Sequence, residues 1–112
     1  MTQTPGRLVV MLYEGAVKFL RQAIAELEAG KFIEKGKSII RAVDIIQELN
    51  VTLNMDAGGE IAENLRRLYG FMTERLFQAN IKKDPEMIRE VIRLLEELNE
   101  GWKAVASGKA AS

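Results

Sequence analysis

The chain has neither cysteine nor histidine. Without thiols there is no disulfide, no thiolate metal ligand and no cysteine nucleophile, which agrees with a reducing compartment. Without imidazole there is no Ser-His-Asp triad, no phosphohistidine relay, no histidine-bearing zinc centre and no Glu-x-x-His di-iron bundle. Most familiar enzyme classes end there. Proline is down to two residues and aromatics to 6% of the chain.

Net charge is also missing. Sixteen basic residues face sixteen acidic ones, and the balance is local, with seven of each in residues 1–56. Nucleic-acid binding needs a basic face that this composition does not supply. The longest purely apolar run, Leu8 to Leu12, is far short of the roughly 20 residues of a membrane span, and no signal-peptide pattern precedes it. These absences predict a cytoplasmic protein with no nucleic-acid partner and no membrane insertion.

What remains is 112 residues, 47% apolar and 29% charged, the size and make-up of one globular domain rather than of a disordered chain. Turn signals are few and regularly placed. Thr4-Pro5 reads as an N-cap with proline at the first helical position, and Gly30 as a C-terminal stop. The cluster Asn54-Met55-Asp56-Ala57-Gly58-Gly59 separates a second segment from a third, with Gly58-Gly59 as a helix-initiating turn. Asp84-Pro85 caps a fourth. The predicted helices cover about 5–29, 31–54, 60–83 and 85–105, with 106–112 as a frayed tail. Each carries apolar residues at three- and four-residue spacing: Leu8, Leu12, Ala16, Phe19, Ala23 and Leu27; Phe32, Gly36, Ile39, Val43, Ile46 and Leu53, with Asn50 at the rim; Ile61, Leu65, Leu68, Met72, Leu76 and Ala79; Ile88, Val91, Leu95, Leu98, Trp102 and Val105. Long helices with short connections predict an all-α, antiparallel, up-down-up-down four-helix bundle.

Several large side chains fall off those stripes: Tyr13, Val17 and Ile24 in the first helix, Ile45 and Leu49 in the second, Phe77 and Ile81 in the third, Met87 and Leu94 in the fourth. Burying such a side chain is worth about 1.5 to 3 kcal/mol, so the surplus needs a destination. It is the edge of a wide core, a groove for an amphipathic partner, or a self-association face. The i, i+4 pairs Glu14/Lys18 and Arg93/Glu97 fit a solvated face. Glu96, Glu97 and Glu100 have no nucleophile beside them in the sequence pattern. The pattern predicts no catalytic residue, no cofactor and no metal.

In order and spacing, the blocks Thr4-Pro5-Gly6-Arg7-Leu8, Met11-Leu12-Tyr13-Glu14-Gly15-Ala16, Asp44-Ile45-Ile46-Gln47-Glu48-Leu49, Gly58-Gly59-Glu60-Ile61-Ala62-Glu63-Asn64-Leu65, Leu68-Tyr69, Arg75-Leu76 and Ala79-Asn80 resemble those of the FliS family of flagellar secretion chaperones. The resemblance implies an antiparallel bundle that holds the disordered C-terminal segment of flagellin, prevents its premature polymerisation and delivers it to the flagellar type III export apparatus, with export-gate or co-chaperone proteins as further candidate partners. It implies no catalytic step. Tyr13 and Tyr69 come from the family motifs as partner-facing residues; Val17, Ile45, Leu49, Phe77 and Leu94 join them from the off-stripe surplus. Family members carry a segment ahead of the Thr-Pro turn, often with a tyrosine, that folds over the partner groove, whereas here only Met1-Thr2-Gln3 precede it. That predicts a monomer with a greater tendency to weak homodimers. The competing reading is a structural bundle that self-assembles without a client.

Overall fold

The computed structural model describes residues 5–53 and 55–108. They form four helices, α1 (Pro5–Glu28), α2 (Phe32–Val51), α3 (Met55–Lys82) and α4 (Pro85–Ala106). α1, α2 and α4 end close to the turn signals, whereas α3 begins at Met55, inside the cluster expected to form a turn. Thr4, Asn54 and residues 109–112, to which a cap, a turn and part of a frayed tail were assigned, lie outside the described residues.

Local chemistry sets the ends. After α1, Gly30 adopts φ 76° and the Lys31 amide donates to the Glu26 carbonyl at 2.8 Å, closing the last turn in a left-handed cap that glycine enters without strain. After α3, the same geometry is held by Lys83 at φ 54°, with the Asp84 amide donating to the Ala79 carbonyl at 3.1 Å. Asp84 then turns round to begin α4: its carboxylate accepts from the Glu86 amide at 2.9 Å and Pro85 fills the first helical position. The Gly58-Gly59 signal is a break inside α3. Gly59 has φ 55° and ψ −126°, a conformation essentially closed to L-residues, and the regular run of α3 begins after it.

Each helix packs on two neighbours, α1 and α3 each on α2 and α4, so α1 and α3 face one another across a diagonal. This is the up-down-up-down bundle. The core is built from Tyr13, Ala16, Leu20 and Ala23 of α1; Ile39, Ala42, Val43, Ile46 and Leu49 of α2; Leu65, Tyr69, Met72, Leu76 and Ala79 of α3; and Ile88, Val91, Ile92 and Leu95 of α4. The stripes of α2 and α4 run much as their spacing predicts, although Phe32 and Val105 are exposed and Leu98 and Trp102 only half-buried.

Two stripes are rotated from expectation. On α1, Leu8 is exposed and Leu12, Phe19 and Leu27 are half-buried, while Tyr13 and Leu20 are closed in; on α3, Ile61 and Leu68 give way to Ala62 and Tyr69. The cause is the tyrosine pair. The Tyr13 and Tyr69 hydroxyls lie 2.6 Å apart and hydrogen-bond to each other, so two phenols can occupy the centre without leaving a polar atom unpaired. The Trp102 ring lies 6.4 Å from that of Tyr13, tilted against it.

Candidate functional site

A groove of about 660 Å³ lies between α1 and α4 and is edged mostly by charged side chains: Glu14, Lys18 and Arg21 on one wall, Glu97, Glu100 and Lys103 on the other. Arg21 reaches across it to pair with Glu96. Val17 lines this groove as its apolar member, and the buried amide of Asn99 closes its base. Besides the Arg21–Glu96 pair that spans this groove, Lys103 pairs with Glu100 along α4.

The second groove, of about 180 Å³, lies between α2 and α3. Ile46, Gln47 and Asn50 form one side and Gly70, Thr73 and Phe77 the other, with the edge of Tyr69 as floor. Helical register extends its walls. On α2, Ile40 and Ile33 stand seven and fourteen residues before Gln47 and therefore on nearly the same strip; on α3, Ile81 stands one turn beyond Phe77. Ile33, Ile40, Phe77 and Ile81 are respectively 73%, 45%, 40% and 74% exposed. Two apolar rims thus border one seam, the arrangement that accepts an amphipathic helix.

The far end of this seam is tied by an unusual cation. Lys35 is only 3% exposed, and its ammonium donates to the Asn80 carbonyl at 3.0 Å. Asn80 lies in the last turn of α3, where unpaired carbonyls and the helix dipole favour positive charge. Burial first, and then the nearby Lys83, push the Lys35 pKa down. Lys83 in turn lies over the Phe32 ring at 4.3 Å. Lysine stem and head therefore fasten the start of α2 to the end of α3.

The seven residues expected to face a partner are not brought onto one surface. Phe77 lines the α2–α3 groove and Val17 the α1–α4 groove. Ile45 is half-buried in the α1–α2 seam, its Cδ1 lying 3.4 Å from where a side chain on Gly15 would begin, and Leu94 is a half-buried member of the core margin. Tyr13 and Leu49 are enclosed in the core, a correction to their partner-facing assignment, while Tyr69 is buried with its edge at the floor of the α2–α3 groove: the hydroxyl pair removes the penalty that favours placing tyrosine at a surface, and Leu49 turns inward beside Ile46. Helix-wheel reasoning missed Ile33, Ile40 and Lys35. The off-stripe, seven-residue spacing of the two isoleucines was the available signal; no pattern marks a lysine that crosses to another helix.

Among the described residues, no group of three or more acidic side chains is placed to hold a metal ion. No described helix is long and apolar enough to cross a membrane. Fold and groove together define an all-α bundle with exposed apolar side chains on its helix surfaces. Comparison with known proteins makes this specific. The family model for "Flagellar protein FliS" matches residues 1–109, and the chain belongs to that family of flagellar secretion chaperones. The flagellar secretion chaperone FliS of Bacillus subtilis is 41% identical over 102 residues, covering 91% of this chain and 75% of the relative. That of Salmonella typhimurium is 40% identical over 107 residues, covering 95% and 79%. That of Vibrio cholerae is 39% identical over 102 residues, covering 91% and 75%. A solved bacterial flagellar chaperone superposes with a TM-score of 0.86 at 19% identity, over 96% of this chain and 88% of that one, and so shares the fold.

Proposed function

We propose that this chain is a cytoplasmic chaperone, acting as one four-helix domain, that binds the disordered C-terminal segment of flagellin along the α2–α3 seam. The segment folds as an amphipathic helix on the rims, its apolar face is shielded from other subunits, and the complex is handed to the flagellar export apparatus. The observation that carries the reading is the pair of exposed apolar rims, Ile33 with Ile40 and Phe77 with Ile81, in a chain of the flagellar chaperone family. Phe77 is the partner-facing residue on this reading, with Val17, Ile45 and Leu94 as half-buried margins of neighbouring seams. A segment that orders on binding must bury enough apolar area to offset its lost freedom, and two continuous rims supply such area.

The test is isothermal titration with a synthetic flagellin C-terminal segment beside a scrambled segment of the same composition. Tight one-to-one binding with a large negative heat-capacity change, absent for the scramble and weakened at least tenfold by Phe77→Asp, is expected. Absence of binding across a panel of flagellins, together with a mass that rises with concentration in light scattering, would instead favour self-assembly through the same rims.

A further inference from the structure

Two unfavourable features meet in the α2–α3 groove. Gly70 sits in the middle of the regular run of α3, where glycine is the poorest helix former after proline. Nothing within the chain requires it, since a Cβ built on Gly70 would meet no atom within 4 Å. On the facing helix, the side-chain oxygen of Asn50 is buried and has no hydrogen-bond partner. Both residues line the same groove, with Thr73 and Phe77 next along its wall. The Thr73 hydroxyl is already used, donating to the Tyr69 carbonyl at 3.0 Å, and so does not supply Asn50.

Each feature is unfavourable in the chain alone and becomes favourable with a polypeptide in the groove. Without side-chain atoms at Gly70, another helix can come close to α3 there. An unsupplied acceptor beside that position takes an N–H or O–H from a polar side chain on that helix. We infer that Gly70 and Asn50 are specificity-determining residues for the client. The bound segment crosses the groove as a helix with a small residue against Gly70 and a hydrogen-bond donor on Asn50 Oδ1. This rests on the flagellin reading above and adds to it which part of a segment the groove selects.

Gly70→Ala and Asn50→Leu separate this from a structural role, because each removes a defect of the free protein. Both variants should melt at or above the parent temperature and yet bind the flagellin segment at least tenfold more weakly. A lower melting temperature for both would assign the two residues to internal packing and overturn the inference. Unchanged melting with affinity within twofold of the parent would also overturn it, leaving the flagellin reading intact provided Phe77→Asp still weakens binding at least tenfold. If the parent itself binds neither segment nor scramble, both readings fall together. The position of contact is then read from the client: once its donor is identified by a hydroxyl- or amide-deleting scan, deleting it should weaken binding to the parent but not further weaken binding to Asn50→Leu. Additive losses would place the donor elsewhere.

Discussion

Tyr13 and Tyr69 hydrogen-bond through hydroxyl oxygens 2.6 Å apart across the diagonal of the bundle, joining the two helices that do not otherwise pack on each other. Their rings are 6.4 Å apart and tilted. Removing one hydroxyl leaves the other buried and unpaired, which costs about 1 to 3 kcal/mol. Tyr13→Phe and Tyr69→Phe should each destabilise by that amount, and the double variant by clearly less than the sum. Urea denaturation of the four proteins checks this, and additive losses would mean the pair is not coupled.

Alkaline pH acts on the same pair. Burial raises both phenol pKa values, for Tyr69 with the Tyr13 hydrogen bond adding to the rise and for Tyr13 with it opposing. Their contribution is therefore fully present below the unfolded-chain value of about 10 and is lost as pH climbs from there through the raised folded values. Lys35 runs the other way. Its lowered folded pKa means a contribution present above the unfolded lysine value of about 10.4 and lost as pH falls through the folded value. Stability should thus rise modestly toward pH 10 and then fall. Lys35→Met should flatten the rise, and the chain without its two tyrosines should lose the fall, both read from melting temperature against pH.

Lys83 holds a left-handed conformation between α3 and α4 that an L-residue enters at a cost of about 1 to 2 kcal/mol. Its stacking over Phe32 at 4.3 Å, near the surface, returns about 0.5 kcal/mol. Lys83→Gly also removes the charge that opposes protonated Lys35. A net gain of about 1 kcal/mol is expected in urea denaturation. A loss would show that the stacked lysine contributes more than its backbone costs.

Client binding should depend weakly on salt. The chain has no net charge, and Glu74 is the one charged residue lining the α2–α3 groove, so counterions have little to screen. Titrations at low and moderate ionic strength should give affinities within a few fold. A steep loss would point to the charged α1–α4 groove as the docking surface instead.

Much of the bundle was legible from spacing and turn chemistry. Pro5, Gly30 and Asp84-Pro85 mark helix ends because each has one backbone role that few residues share. The orientation of α1 and α3 was not legible from hydrophobicity alone, because a leucine or isoleucine outranks a tyrosine when positions are scored singly. Stricter periodicity held the answer: 13, 16, 20, 23 on α1 and 62, 65, 69, 72, 76, 79 on α3 alternate three and four without a break. For the candidate site, Phe77 and Ile81 stood out as surplus and are indeed exposed. Asn50 was placed at the rim, but its unsupplied oxygen and the open space at Gly70 are relations between helices, which a single helical wheel does not contain.

The single tryptophan of the chain lies against the central tyrosine pair rather than at a remote surface. Its emission therefore reports one junction, where α4 meets α1, with no second indole to blend the signal. Tyr13 is close enough to pass its excitation to Trp102, so light absorbed by the phenol should reappear as indole fluorescence only while the bundle is closed. The purified protein thus carries its own optical gauge of core packing, readable in a cuvette without any label.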